Sequence, residues 1–200
     1  MKPILFNTEM VRAILESRKT VTRRVVKLKY SNTHLEMFTN KYGTRLVEKQ
    51  NEVPDATTIK NPDGTTTHTL LACIEKEPPY RPGDILYVRE TWNTLIGDLI
   101  YRADQKPEFK NPGKWRPSIH MPREAARIFL RVMDVRVERL RPISDTACMA
   151  EGITCAWNVD LPDAFAEMWD STIKPADRTL YGWDANPWVW VIEFERTEKP

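Results

Sequence analysis

Cysteine and histidine are scarce in this chain, at three each among 200 residues. Cys73, Cys148 and Cys155 form no C-x-x-C pair, and His34, His68 and His120 are scattered. A zinc site therefore has little support; reduced thiols and no metal or cofactor are expected. Long apolar runs are missing too. No stretch approaches the roughly 20 apolar residues of a membrane helix, and residues 1–7 lack the apolar run of a signal peptide. A soluble, cytoplasmic protein without a membrane partner is expected. Excess charge of one sign is also absent. The formal net charge is +2, too small to argue nucleic-acid binding by itself, so any electrostatic case rests on local clusters. There is no internal repeat and no low-complexity tract.

What is present begins at residues 8–26, T-E-M-V-R-A-I-L-E-S-R-K-T-V-T-R-R-V-V. Thr8 is suited to cap a helix, Glu9 to its positive first turn, and Met10, Val11, Ile14 and Leu15 recur at helical spacing. Ser17 marks the exit. Two threonines and three valines then alternate with arginines, which favours a strand. Arg18, Lys19, Arg23 and Arg24 fall within seven residues beside Thr20 and Thr22. Small hydroxyls next to fixed positive charges suit an anionic or polar ligand; an ordinary solvated basic strand is the alternative.

Ser17-Arg18-Lys19-Thr20-Val21-Thr22-Arg23-Arg24 resembles the opening G-R-K-T-x-T-x-R-like motif of the ASCH family, β-barrel domains related to the PUA fold, with Ser17 where glycine is common. The resemblance continues at residues 82–92, at Ala150-Glu151-Gly152-Ile153 and in the closing strand. The strings W-R-P-S-I-H-M-P-R at 115–123 and G-W-D-A-N-P-W-V-W at 182–190 resemble prophage-encoded ASCH proteins labelled morphogenetic. An α+β architecture is implied: an ASCH/PUA-like β-barrel of five to six mainly antiparallel strands with peripheral helices.

Length suits one domain over residues 1–200. Residues 31–68 turn polar, and short alternations flank Lys41-Tyr42-Gly43, so an insertion of one or two hairpins is expected there. Asn61-Pro62-Asp63-Gly64 reads as a turn, and 69–74 as a buried strand. Pro122 is placed to open a short helix over 123–127, and Ser144 or Asp145 to cap a helix ending near Gly152. Pro162 opens another, with Phe165, Met168 and Trp169 on one face. In the closing strand Trp188, Trp190, Ile192 and Phe194 share parity and are expected to face one core. Asp184 and Asn186 are suited to side-chain turn bonds.

Nothing in the spacing joins Lys19 and Thr22 to Glu151; the resemblance does. In ASCH amidohydrolases that deacylate acetylcytidine, the motif lysine, the second motif threonine and a helix glutamate form the active site, matching Lys19, Thr22 and Glu151. A threonine needs a nearby base, and a desolvated lysine can serve. Strict alternation would put Lys19 and Thr22 on opposite faces, so Lys19 is expected in the helix-to-strand turn, or a bulge intervenes. A Lys–Glu ion pair closing a barrel end is the alternative. Trp115, Arg116, Ser118, His120 and Arg123 suit stacking on a base beside a phosphate, or else their loop plugs the barrel. With Arg18, Thr20, Arg23 and Arg24 they form the candidate ligand-binding set. The expected partner is RNA, another single-stranded nucleic acid, or a modified nucleoside. The functions weighed are nucleic-acid binding, metal-independent hydrolysis of N-acylated cytosines, and an accessory role in phage assembly.

Overall fold

A computed structural model describes residues 1–51, 58–60, 66–68, 74–105, 113–154 and 160–200. The strand expected at 69–74 lies outside these residues except for its end, as does the turn at 61–64. The chain divides into two compact units, one of residues 1–24 with 80–200, the other of residues 25–79. The segment expected as an insertion falls inside the second.

The first unit opens with β1 (Lys2–Leu5), α1 (Thr8–Leu15) and β2 (Val21–Val25, whose last residue belongs to the second unit). Asn7, rather than Thr8, caps α1: its side chain accepts from the Met10 amide at 2.9 Å. Thr8 is already in the helix, so its hydroxyl is one residue too late to cap. Val11, Ala13 and Ile14 are the buried face.

The second unit holds β3 (Thr33–Asn40), β4 (Gly43–Gln50), β5 (Thr58–Lys60), β6 (Thr66–His68) and β7 (Ile74–Glu75). β3 and β4 form an antiparallel hairpin from Thr33↔Gln50 to Asn40↔Gly43, and β7 joins β4. β5 pairs with β6. The turn at Gly43, at φ 121°, is a conformation open to glycine.

The chain returns to the first unit with β8 (Ile85–Arg89), β9 (Trp92–Leu95), β10 (Asp98–Tyr101) and β11 (Phe129–Arg139). Then follow α2 (Asp145–Ala150), α3 (Leu161–Thr172), α4 (Arg178–Tyr181) and β12 (Trp188–Thr197). The main sheet runs β1-β8-β11-β12-β2. β1 lies parallel to β8, whereas β8–β11 and β11–β12 are antiparallel. The architecture is thus mixed α+β. Among the described residues no ladder closes the sheet into a barrel. The Arg24 guanidinium of the edge strand β2 donates to the Leu5 carbonyl of the other edge strand, β1, at 2.6 Å. No described helix is long and apolar enough to cross a membrane.

β12 is the spine of the core. Trp190, Ile192 and Phe194 are buried and Trp188 half-buried, and the opposite face is covered too, with Val189 and Val191 inaccessible. Polar character returns only at Glu193 and Glu195. Trp190→Ala is expected to cost about 3 kcal/mol, near the lower end for tryptophan truncation because the side chain keeps a small exposed edge. A urea midpoint unchanged from wild type would contradict this packing.

Two local expectations change. The helix expected over 123–127 is a single 3-10 turn, Arg123–Ala125; Arg127 is instead drawn to Glu90 and Asp104, 2.9 and 2.5 Å away. Asp184 leaves its side chain in solvent, while the Asn186 side-chain oxygen Oδ1 accepts from the Arg141 amide at 2.7 Å.

Candidate functional site

The site begins with two helix ends. α1 stops at Glu16 and Ser17 turns left-handed, at φ 59°. The Arg18 and Lys19 amides then both donate to the Ala13 carbonyl, at 2.8 and 3.0 Å. This conformation explains why glycine suits the position: a side chain there costs roughly 1 kcal/mol. α2, capped by Ser144 as expected, ends in the same manner at Gly152, φ 87°. Here glycine is required by contact as well. A Cβ on Gly152 would stand 2.8 Å from the Ala13 Cβ and 3.1 Å from the Lys19 Cβ. The A-E-G-I string is therefore a helix C-cap that lets α2 press against α1 and delivers Glu151 to Lys19.

Lys19 lies before β2, in the connection from α1, where an isolated bridge pairs it with Glu151. Its side chain is inaccessible to solvent. The ammonium donates to the Val21 carbonyl at 2.8 Å, the Glu151 carbonyl at 2.9 Å and the Glu151 carboxylate at 2.5 Å. All three protons are thereby used. Burial pushes the Lys19 pKa below the ordinary lysine range, against the opposing pull of Glu151. The second carboxylate oxygen takes Arg23 at 3.1 Å. Arg23 is itself buried, its guanidinium 6.0 Å from the Phe165 ring centre and its Nε without a hydrogen-bond partner among the described residues. One carboxylate thus holds two buried cations. A cluster of this kind survives desolvation only because each charge is paired and hydrogen-bonded.

Thr22 follows in β2 and is 3% exposed. None of the acceptors of Lys19 belongs to it. Thr20 is exposed at its side chain; its amide donates to Ala150 and its carbonyl accepts from Phe194. Arg24 lies against Phe6, 5.2 Å from the ring centre. Arg18 is held by Glu16 and by the Gly152 carbonyl, the latter at 2.9 Å.

Beside the Lys19–Glu151 pair is a pocket of about 250 Å³. Met10 of α1, Arg18, Glu151, Ile153, and Ala164 and Met168 of α3 line it, with Asn7 at the α1 cap. Glu151 is the member common to the pocket and the buried ion cluster. Its two cations take about two of a carboxylate's four lone-pair sites, and its side chain is 3% exposed.

The loop carrying Trp115, Arg116, Ser118, His120 and Arg123 forms a different neighbourhood. Arg116 bridges Trp92 in both backbone directions and lies 4.9 Å from its ring centre. Ile119 is largely exposed, and the residue that plugs the core is Met121, packed with Trp92, Ala125, Ala126 and Phe129. Arg89 of β8 fastens the loop through the Ile119 and Met121 carbonyls. Trp115 and Ser118 are half-buried, whereas His120 and Arg123 are exposed. No described hydrogen bond, ion pair or ring contact joins these five residues to Lys19, Thr22, Arg23, Arg24 or Glu151.

Several participants escape sequence reading. Asn7, Met10 and Met168 read as cap and helix face, and nothing marks them as pocket lining. Glu90, buried within the R-E-T-W string, is bound at both oxygens by Arg127, at 2.9 and 3.1 Å, which also reaches Asp104. Burial pushes Cys148 up to about 11, which makes that thiol a packing group rather than a nucleophile.

No protein-family model matches the chain, and neither a curated protein nor a solved structure matches it.

Proposed function

We propose that this chain is a nucleic-acid-binding protein of the ASCH, PUA-like class that receives a single nucleobase, extruded or modified, in the pocket beside Glu151. The observation that carries the reading is the meeting of Lys19 with Glu151, 132 residues apart, at a ligand-sized opening. Only the motif resemblance had linked those two residues. The five-stranded sheet, its edge strands linked by Arg24 and Leu5, is taken as that family's barrel. A cytoplasmic protein of prophage type is part of the same reading.

The chemistry suits a base. The free lone pairs of Glu151 accept from an exocyclic amine, as carboxylates do from cytosine. Arg18 supplies positive charge for a phosphate or a carbonyl oxygen, and Met10, Ile153 and Met168 offer apolar surface to the ring. The test is calorimetric titration with cytidine, acetylcytidine and short single strands. Arg18→Ala and Ala164→Phe, which fills the pocket, are each expected to weaken nucleoside binding at least tenfold. Equal affinity in wild type and both variants would remove the pocket from the proposal.

A second reading is hydrolysis of acylated cytosines. It is supported by a buried Lys19 three positions from Thr22. Lys19 must first give up one of its three hydrogen bonds before it can act as a base toward the Thr22 hydroxyl. Acetate release by wild type and not by Lys19→Ala would favour this reading; equal background in both would end it.

A further inference from the structure

The second unit carries a surface that the pocket does not account for. Along one face of the β3–β4 hairpin, Phe38 lies directly across from Arg45. By strand alternation Lys49 shares that face. The Arg45 guanidinium and the Lys49 ammonium lie 5.9 and 5.6 Å from the centre of the Phe38 ring. At the hairpin turn Tyr42 is 81% exposed, with the Lys41 ammonium 4.9 Å from its ring centre. Two aromatic rings are thus each accompanied by cations at cation–π distance.

The charge balance is local and positive. On the hairpin Lys41, Arg45 and Lys49 outnumber the one accessible carboxylate, Glu36, with which Lys49 is ion-paired; Glu48 is inaccessible. Arg45 also reaches Glu75 of β7, at 2.9 Å. Both Arg45 and Lys49 retain more than a third of their side-chain exposure. An isolated exposed tyrosine on a protein surface means little. A tyrosine at the tip of a hairpin, with a half-buried second ring along the strand that two cations approach, has the composition of a stacking platform with phosphate-neutralising flanks.

We propose that this face of the β3–β4 hairpin binds single-stranded nucleic acid, bases stacking on Tyr42 and Phe38 while Lys41, Arg45 and Lys49 contact phosphates. Single strands are favoured over duplex because both rings must meet unstacked base faces. The proposal takes its ligand class from the nucleic-acid reading above, yet it stands on residues of the other unit.

The experiment is fluorescence anisotropy of the full chain with labelled 12-nucleotide oligo-U and oligo-dT over a range of salt. Tyr42→Ala is expected to weaken binding roughly fivefold or more. Arg45→Gln with Lys49→Gln is expected to flatten the log–log salt slope by about 1.4, for two lost phosphate contacts on a single strand. Nucleoside affinity is measured on the same variants and is expected to be unchanged. Polymer binding that ignores the hairpin changes but falls in Ala164→Phe overturns this inference and leaves the pocket standing. Hairpin-sensitive polymer binding with no nucleoside binding keeps this surface and removes the pocket. Equal or tighter binding of a 12-base-pair duplex overturns the stacking proposal.

Discussion

Glu151→Ala is expected to destabilise the protein by roughly 3–5 kcal/mol, the range for removing one partner from a buried charge cluster. The carboxylate neutralises Lys19 and Arg23 together, at 2.5 and 3.1 Å, with side chains 0% and 5% exposed. Without it two buried cations lose the carboxylate they share, and Lys19 keeps only carbonyl acceptors. Glu151→Gln preserves shape and one acceptor oxygen, so its cost should be smaller. Lys19→Met combined with Glu151→Ala should cost less than the two single changes summed, because the uncompensated ammonium is gone. Chemical denaturation of the four proteins measures this cycle. A Glu151→Ala midpoint equal to wild type would show that the cluster contributes nothing to stability.

The other large effect belongs to Glu48 in the second unit. Its side chain is inaccessible, and it accepts from the Lys29 and Tyr30 amides, the Thr33 hydroxyl and the Lys76 ammonium, at 2.5 to 2.9 Å. Burial alone would raise its pKa, but these donors win and hold it at about 2, against an ordinary 4.5. A carboxyl whose folded pKa is depressed contributes stability above its unfolded pKa and loses it as pH falls through the folded one. The contribution is therefore complete above about pH 4.5 and disappears toward pH 2. Its size is on the order of 3 kcal/mol. Hydrogen exchange of residues 33–50 in the full chain should show protection falling across that window. In Glu48→Gln that part of the pH dependence should vanish, with protection already low at pH 6. A wild-type profile as flat as the variant's would refute the linkage.

These two glutamates differ in how visible they are in the sequence. Glu151 stands out only because A-E-G-I resembles a family motif, and the physical content of that motif is a helix C-cap with a mandatory glycine. Glu48 carries no signal at all. Alternation in T-R-L-V-E-K puts it on a strand face, and its partners come from a loop that periodicity cannot position. α1, the hairpin around Lys41-Tyr42-Gly43, α3 and the buried parity of β12 were legible because their hydrophobic periods are long. The valines of β12 were not, since only tertiary packing covers a second face. The burial of Arg23, expected as one of the ligand-binding residues, was not legible for the same reason: nothing local in a basic run reveals the Phe165 ring beside it. The cap of α1 slipped by one residue because Asn7 and Thr8 are both competent caps. Backbone geometry makes that choice.

The two edge strands of the main sheet, β1 and β2, both come from the first 25 residues, whereas the strands between them lie at residues 85–197. During synthesis Lys19 emerges long before Glu151, 132 positions later, an interval of roughly 7–26 s at 5–20 residues per second. β1 likewise waits for β8 and β2 for β12, so the N-terminal segment stays unpaired on the nascent chain. The β3–β4 hairpin has all of its partners close at hand and can form in that interval. β1, β2 and Lys19 thus reach their final places only after much later segments have been made, and Arg23 waits for Glu151.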